Sequence, residues 1–181
     1  MAVRRDRRLL GVLLAVAVSG SACAVEEVLP EPSCAAGGSV ILAAQSVPTA
    51  ELVPCFEPLP AGWDVASVTI DQDGTVVRFD SDRAGEWAAT FRYGSTCELD
   101  GAVPAPSEFE QTERYELVER VTPSLRARRF YPFSGGCAWW SFDFDDGAPA
   151  ALAVELGDRL DLVPRDELNR SIRETFIDEG V

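Results

Sequence analysis

The sequence predicts an α+β fold: an antiparallel β-sheet of about five to seven strands, packed by one or two C-terminal helices. Two observations lead there. From Asp64 to Asp145, apolar and polar residues alternate in short runs broken by glycine-containing turns, the pattern of strands with one wet face. From Pro149 onward, apolar residues recur every four positions, the spacing of a helix stripe. The 181 residues suffice for one domain with a sizeable core.

The early part of that domain predicts little regular structure. Cys34 to Pro60 carries Pro48, Pro54, Pro58 and Pro60, and reads as an irregular lead-in with a short strand over Val40–Ala44. "DVASVTIDQDGTVVRFDSD" then reads as a hairpin. Asp73-Gly74 suits a two-residue turn, because both central positions need positive φ. That turn pairs Ile70 with Val77 and Val68 with Phe79 on one face, and Thr69 with Arg78 and Ser67 with Asp80 on the other.

"EWAATFRY" predicts a third strand, with Trp87, Ala89, Phe91 and Tyr93 on its apolar face. Cys97 follows it, and Gly101 to Gln111 reads as a loop. Arg114 to Val121 and Arg126 to Phe133 are the fourth and fifth strands. The fifth turns through Ser134-Gly135-Gly136 into "CAWWSFDFDD". There Trp140, Phe142 and Phe144 share one face, and Trp139, Ser141, Asp143 and Asp145 the other. A Gly135-Gly136 turn pairs Arg128 with Asp143 and Arg126 with Asp145. Trp139 is the residue a plain core strand explains least well.

Pro149 to Leu160 carries Leu152, Leu156 and Leu160 at helical spacing, after a proline suited to a first turn; a strand over Leu152, Val154 and Leu156 is the competing reading. Leu162-Val163 suggests a brief strand. Arg165 to Ile177 is the clearest helix. Pro164 precedes it, Asp166 and Glu167 suit its positive end, and Leu168, Ile172 and Phe176 form its stripe. Gly180 stands at the expected stop.

The chain opens "MAVRRDRRLLGVLLAVAVSGSACAV": a basic start, an apolar run from Leu9 to Val18, then small residues. This is the layout of a secretory signal peptide, and the run is too short to span a bilayer as a helix, which takes about 20 residues. Its end resembles the lipobox of bacterial lipoproteins, with Ser21 and Ala22 before Cys23; Gly20 departs from the aliphatic residue that family prefers. The resemblance implies lipidation of Cys23 and attachment to the outer face of the cytoplasmic membrane. Cleavage after Ala24 as an ordinary A-x-A site, which leaves a soluble secreted protein, and an uncleaved anchor are the competing readings. The expected division is a signal peptide over 1–22, an acidic proline-containing tether over 23–33, and a single α+β domain over 34–181.

Either cut leaves Cys34, Cys55, Cys97 and Cys137, an even set suited to two disulfides in an exported chain. Strand placement favours Cys34–Cys55 and Cys97–Cys137. Their spacing is not that of a zinc site, and the chain has no histidine.

The formal charge of −14 falls to −17 once the leader's four arginines and one aspartate are removed. Such a surface repels phosphate backbones, which argues against nucleic acid as a partner. The absence of histidine and lysine rules out Ser-His-Asp, Cys-His and Ser-Lys nucleophiles and Schiff bases. No phosphate-binding glycine motif is present. "DQDG" at Asp71–Gly74 and "DFDDG" at Asp143–Gly147 echo calcium loops but lack the full ligand spacing. No metal, cofactor or catalytic residue is therefore expected. What remains is a noncatalytic binding module of the cell envelope, with an envelope protein or glycan as partner. Trp139, with Tyr115 and Tyr131, is the expected interaction surface. A carboxylate-dependent hydrolase of envelope glycans, which needs only two acids, is the alternative.

Overall fold

The computed structural model describes residues 30, 32–34 and 38–178. The leader, Cys23, most of the tether and Gly180 lie outside the described residues. Among those described, the order is α1 (Gly38–Ser46), β1 (Leu52–Phe56), β2 (Trp63–Asp71), β3 (Gly74–Ser81), β4 (Gly85–Gly94), β5 (Val103–Ala105), β6 (Arg114–Arg120), β7 (Arg126–Phe133), β8 (Gly136–Asp143), α2 (Leu152–Gly157), β9 (Leu160–Pro164) and α3 (Arg165–Asp178). The fold is α+β, as the alternation and the C-terminal stripe predict.

Seven strands form one antiparallel sheet in the order β2-β3-β4-β8-β7-β6-β5, and β1 and β9 pair antiparallel as a second, small sheet. One face of the large sheet, here the inner face, carries Val77, Phe79, Phe91, Tyr93, Trp140 and Phe142, all nearly inaccessible. Against it pack Leu52 and Phe56 of β1, Leu152 and Leu156 of α2, and Leu160 and Leu162 of β9. Phe56 sits edge-on to Phe79, Phe91 and Trp140, so the small sheet is keyed into the centre of the large one. A second cluster lies behind β1, where Val40 and Ala44 of α1 and Leu168 of α3 meet Val53 and Cys55. The small sheet, α1, α2 and α3 all load the inner face.

Both disulfides are present with the expected pairing, Cys34–Cys55 and Cys97–Cys137. They are compatible with an exported, non-cytoplasmic protein. No helix among the described residues is long and apolar enough to cross a membrane.

The structure corrects several local expectations. Val40–Ala44 lies in a helix, because Val40, Ala43 and Ala44 fall at helical spacing and are buried. Leu160 belongs to β9, not to the preceding helix, which ends at Gly157. Both hairpins are shifted by two residues from their expected pairing, with the faces preserved. In the first, Asp71 pairs with Gly74 and Ile70 with Thr75; Gln72-Asp73 is the turn, closed by the Asp73 N–H donating to Asp71 Oδ1 at 2.8 Å. Gly74 (φ 137°) is needed elsewhere: a Cβ there would lie 2.1 Å from the Tyr93 carbonyl oxygen. In the second hairpin Phe133 pairs with Gly136, so Asp143 faces Arg126 rather than Arg128. Gly136 is needed for packing, since a Cβ would lie 2.7 Å from the Phe133 ring and 2.9 Å from Ala50 Cβ.

Candidate functional site

Strand pairing builds the outer face row by row. Thr69, Val76, Arg92, Trp139, Phe130 and Tyr115 lie side by side on β2, β3, β4, β8, β7 and β6. The next row is Ser67, Arg78, Thr90, Ser141, Arg128 and Leu117. Ion pairs occupy the β6–β8 end: Arg126 binds Asp143 with both nitrogens, and Arg128 reaches Glu119 at 3.1 Å. Arg78 and Arg92, at the other end, have no carboxylate partner among the described residues. Arg78 donates to Ser67 Oγ at 3.3 Å and stacks over Trp87 with its guanidinium carbon 5.8 Å from the ring centre.

The segment between β4 and β5 divides this face. It is pinned by Cys97–Cys137, with Cys137 on the outer face, and it brings Gly101 beside Leu117 of β6. Phe130 lies between those two points and is only 3% exposed, although it belongs to neither core cluster. The Arg128 guanidinium carbon lies 5.9 Å from its ring centre, and the crossover, fixed on either side of it, forms a lid over this part of the face. Trp139 and Tyr115 therefore share a row but not a continuous surface. Tyr115 is half-buried and donates to Glu113 Oε2 at 2.9 Å. Tyr131 is fully buried on the inner face, so it is not part of any surface; alternation along β7 sends it inward beside Ala138.

The aromatic partner of Trp139 on the open half is Trp87, which the sequence places on the core face. Its backbone turns to φ 50°, the pairing between Phe79 and Ser81 is irregular, and the ring swings out to 66% exposure. Ala88 and Ala89 are then both buried. The alternation gives no sign of this, because a positive φ at tryptophan has no sequence signature. Trp139 is half-buried, and its six-membered ring leans over Gly94; a Cβ at Gly94 would lie 3.6 Å from Cζ3 and Cη2. Beside the ring, Arg92, Asp71, Asp73, Gly74 and Val76 complete a cleft of about 200 Å³. Arg92 and the two aspartates line the same cleft without forming an ion pair.

A second polar group sits at the β6–β7 end of the inner face. Tyr131 donates to Glu108 Oε1 at 2.6 Å, Arg114 bridges Glu108 and Glu116, and Arg129 Nε donates to Glu116 at 3.1 Å. Burial pushes both carboxyls up, but the hydrogen bonds from Tyr131 and Arg114 to Glu108, and from Arg114 and Arg129 to Glu116, together with the arginine charges, outweigh it. Both acids are held below the usual carboxylate range. Burial, first of all, pushes the Tyr131 phenol well above its usual value. Two ionised acids locked by arginines supply neither a proton donor nor a free base.

The acidic motifs are structural. Asp71 caps its turn, Asp143 is paired, and Asp145 closes over Gly85, where a Cβ would meet its carboxylate at 2.3 Å. Among the described residues, Cys34, Cys55 and Asp161 lie close enough together to share an ion, but the two thiols are joined in a disulfide.

Fold and face together define a disulfide-bonded α+β domain with one open aromatic and arginine-bearing sheet surface. No protein-family model, curated protein or solved structure matches this chain.

Proposed function

We propose that this protein is an exported, lipid-anchored, noncatalytic binding module of the cell envelope, and that the open half of its outer sheet face is the working surface. The observation that carries this reading is the asymmetry of the sheet. Among the described residues, the three helices and the second sheet load the inner face, while Trp87, Trp139, Arg78 and Arg92 stand on the other with no helix or second sheet over them and no carboxylate partner. Aromatic and arginine side chains are the residues that anchor interfaces, and a chain with net charge −14 has ample acid to neutralise idle arginines. The arginine-locked state of Glu108 and Glu116 supports binding over hydrolysis. The lipobox-like end at Cys23 supports the anchor.

Two measurements test this. Intact mass of protein from the native membrane fraction is expected to start at Cys23 with acyl chains; a start at Val25 without lipid makes it a diffusible factor. Retention of the protein on isolated cell envelopes is expected to fall at least about tenfold in a Trp87→Ala/Trp139→Ala double variant of unchanged melting temperature. Equal retention would place the working surface elsewhere.

A further inference from the structure

Two tryptophans mark the ends of a track along β4. Trp87 stands near its first residue, and Trp139 pairs with Arg92 five residues on, which is about 17 Å away at strand rise. Between them the face offers Thr90, Ser141, Arg78 and Arg92, which are hydroxyls and guanidinium groups rather than apolar side chains. A stable protein interface needs a contiguous desolvated centre within about 800 Å² per partner. Two tryptophans separated by polar residues do not supply it. They suit an extended ligand that is apolar at intervals and polar between.

Charge narrows the class further. Asp71 and Asp73 at the Trp139 end oppose an anionic ligand, as do Asp80 and Glu86 near Trp87. Arg78 and Arg92 oppose a cationic one. In the cleft, Arg92 forms no ion pair with the two aspartates, so its guanidinium, the Asp73 carboxylate and the second oxygen of Asp71 remain open; Asp71 Oδ1 is taken by the turn. A hydroxyl both donates and accepts, and a row of hydroxyls on a ring satisfies both kinds at once. The C–H face of a pyranose ring is apolar and packs flat on indole. The cleft volume of about 200 Å³ is smaller than the roughly 300–1,000 Å³ of drug-sized pockets. It seats one ring, with the rest of a chain running on toward Trp87.

We propose, on the reading that the outer face is the binding surface, that this track binds a linear chain of neutral sugar rings, one seated against Trp139 and Arg92 and another on the exposed part of Trp87, beside the Arg78 guanidinium that stacks on that indole. The test uses the purified full chain, titrated with chitohexaose and cellohexaose as neutral probes and hexagalacturonate as the anionic one. Calorimetry gives affinity, and the indole N–H resonances give location. A neutral hexamer is expected to move the signals of Trp87 and Trp139 and leave those of buried Trp63 and Trp140. Trp139→Ala is expected to weaken binding at least about tenfold. Arg92→Ala, a change at an exposed residue of the cleft, weakens it too, and Val154→Ser on α2 leaves it unaltered. A disaccharide, spanning one end only, is expected to bind more weakly than the hexamer. Tighter binding of hexagalacturonate, or no movement of either indole at millimolar neutral hexamer, overturns the sugar assignment. Envelope retention that still depends on Trp87 and Trp139 in that case leaves the outer face as the surface, with a protein as partner. Loss of both dependences removes the surface as well.

Discussion

The backbone N–H of Trp87 donates to Asp80 Oδ1 at 2.7 Å, and this bond holds the most exposed tryptophan in a left-handed backbone conformation, φ 50°. A Cβ-bearing residue is strained there by about 1 kcal/mol, a cost glycine escapes. The usual ranking of alanine over glycine in a strand should therefore invert. Trp87→Gly is expected to be more stable than Trp87→Ala by about 1 kcal/mol in denaturant unfolding. The ordinary order would show that the bulge relaxes when the ring is removed.

Phe130 should behave as a core residue although it lies on the outer face. Under the crossover it is 3% exposed, so Phe130→Ala is expected to cost about 3 kcal/mol, the range of buried aromatic truncations. Replacing Cys97 and Cys137 together by alanine frees a 40-residue separation and should cost about 4 kcal/mol on the chain-entropy model. It should also raise hydrogen exchange along 95–102. A Phe130→Ala cost below about 1 kcal/mol, as for a surface site, would contradict the lid.

Acid sensitivity should trace to the Glu108–Arg114–Glu116–Arg129 group. Both carboxyls are lowered on folding from an ordinary value of 4.5, so their contribution is present above that pH and is lost as pH falls through the depressed folded values. Glu116→Gln should lower the melting temperature at pH 7 and narrow its gap to wild type by pH 3. Parallel melting curves across that range would dismiss the linkage. Tyr93 acts at the opposite end. Burial lifts its phenol to about 12, so its contribution is present below 10 and is lost as pH rises through 12. Tyr93→Phe should flatten the alkaline limb.

Gly74→Ala should be among the most damaging single-methyl changes, costing more than about 2 kcal/mol. The added Cβ meets the Tyr93 carbonyl at 2.1 Å, in a backbone conformation that L residues rarely adopt. A neutral result in thermal melts would mean that β3 and β4 can part at that end.

The same glycine explains where the sequence could and could not be read. Period-two alternation located β2 to β4 and β6 to β8, and on β2, β3, β4 and β8 it assigned the side chains to their faces with Trp87 as the exception, because burying one face of a sheet requires it. Turn chemistry was less readable. Asp73-Gly74 and Gly135-Gly136 look like turn centres, but Gly74 and Gly136 serve close approaches to Tyr93 and to Ala50, contacts made by residues distant in the chain. Each turn moved one position earlier, and Asp143 passed from Arg128 to Arg126. For the site, Trp139 stood out because it broke the polar face of its strand. Trp87 did not, because its outward turn depends on an acceptor from β3. Residue type alone offers Tyr131 as surface, because aromatic residues are enriched at interfaces, yet parity on β7 buries it.

Pro32, Ser33 and Cys34 run beside β1. Phe56 donates to the Pro32 carbonyl, Cys34 donates to the Phe56 carbonyl, and Cys34 is crosslinked to Cys55. The chain thus enters through the layer beneath the large sheet. An anchor upstream of Pro32, as proposed, holds the domain from the inner-face side, while the two tryptophans stand on the outer face. On the proposed reading, a pull on a ligand held by Trp87 and Trp139 travels through the core into β1 and the Cys34–Cys55 crosslink. The covalent bond, not a ladder of hydrogen bonds, stands at the point where the load leaves the domain.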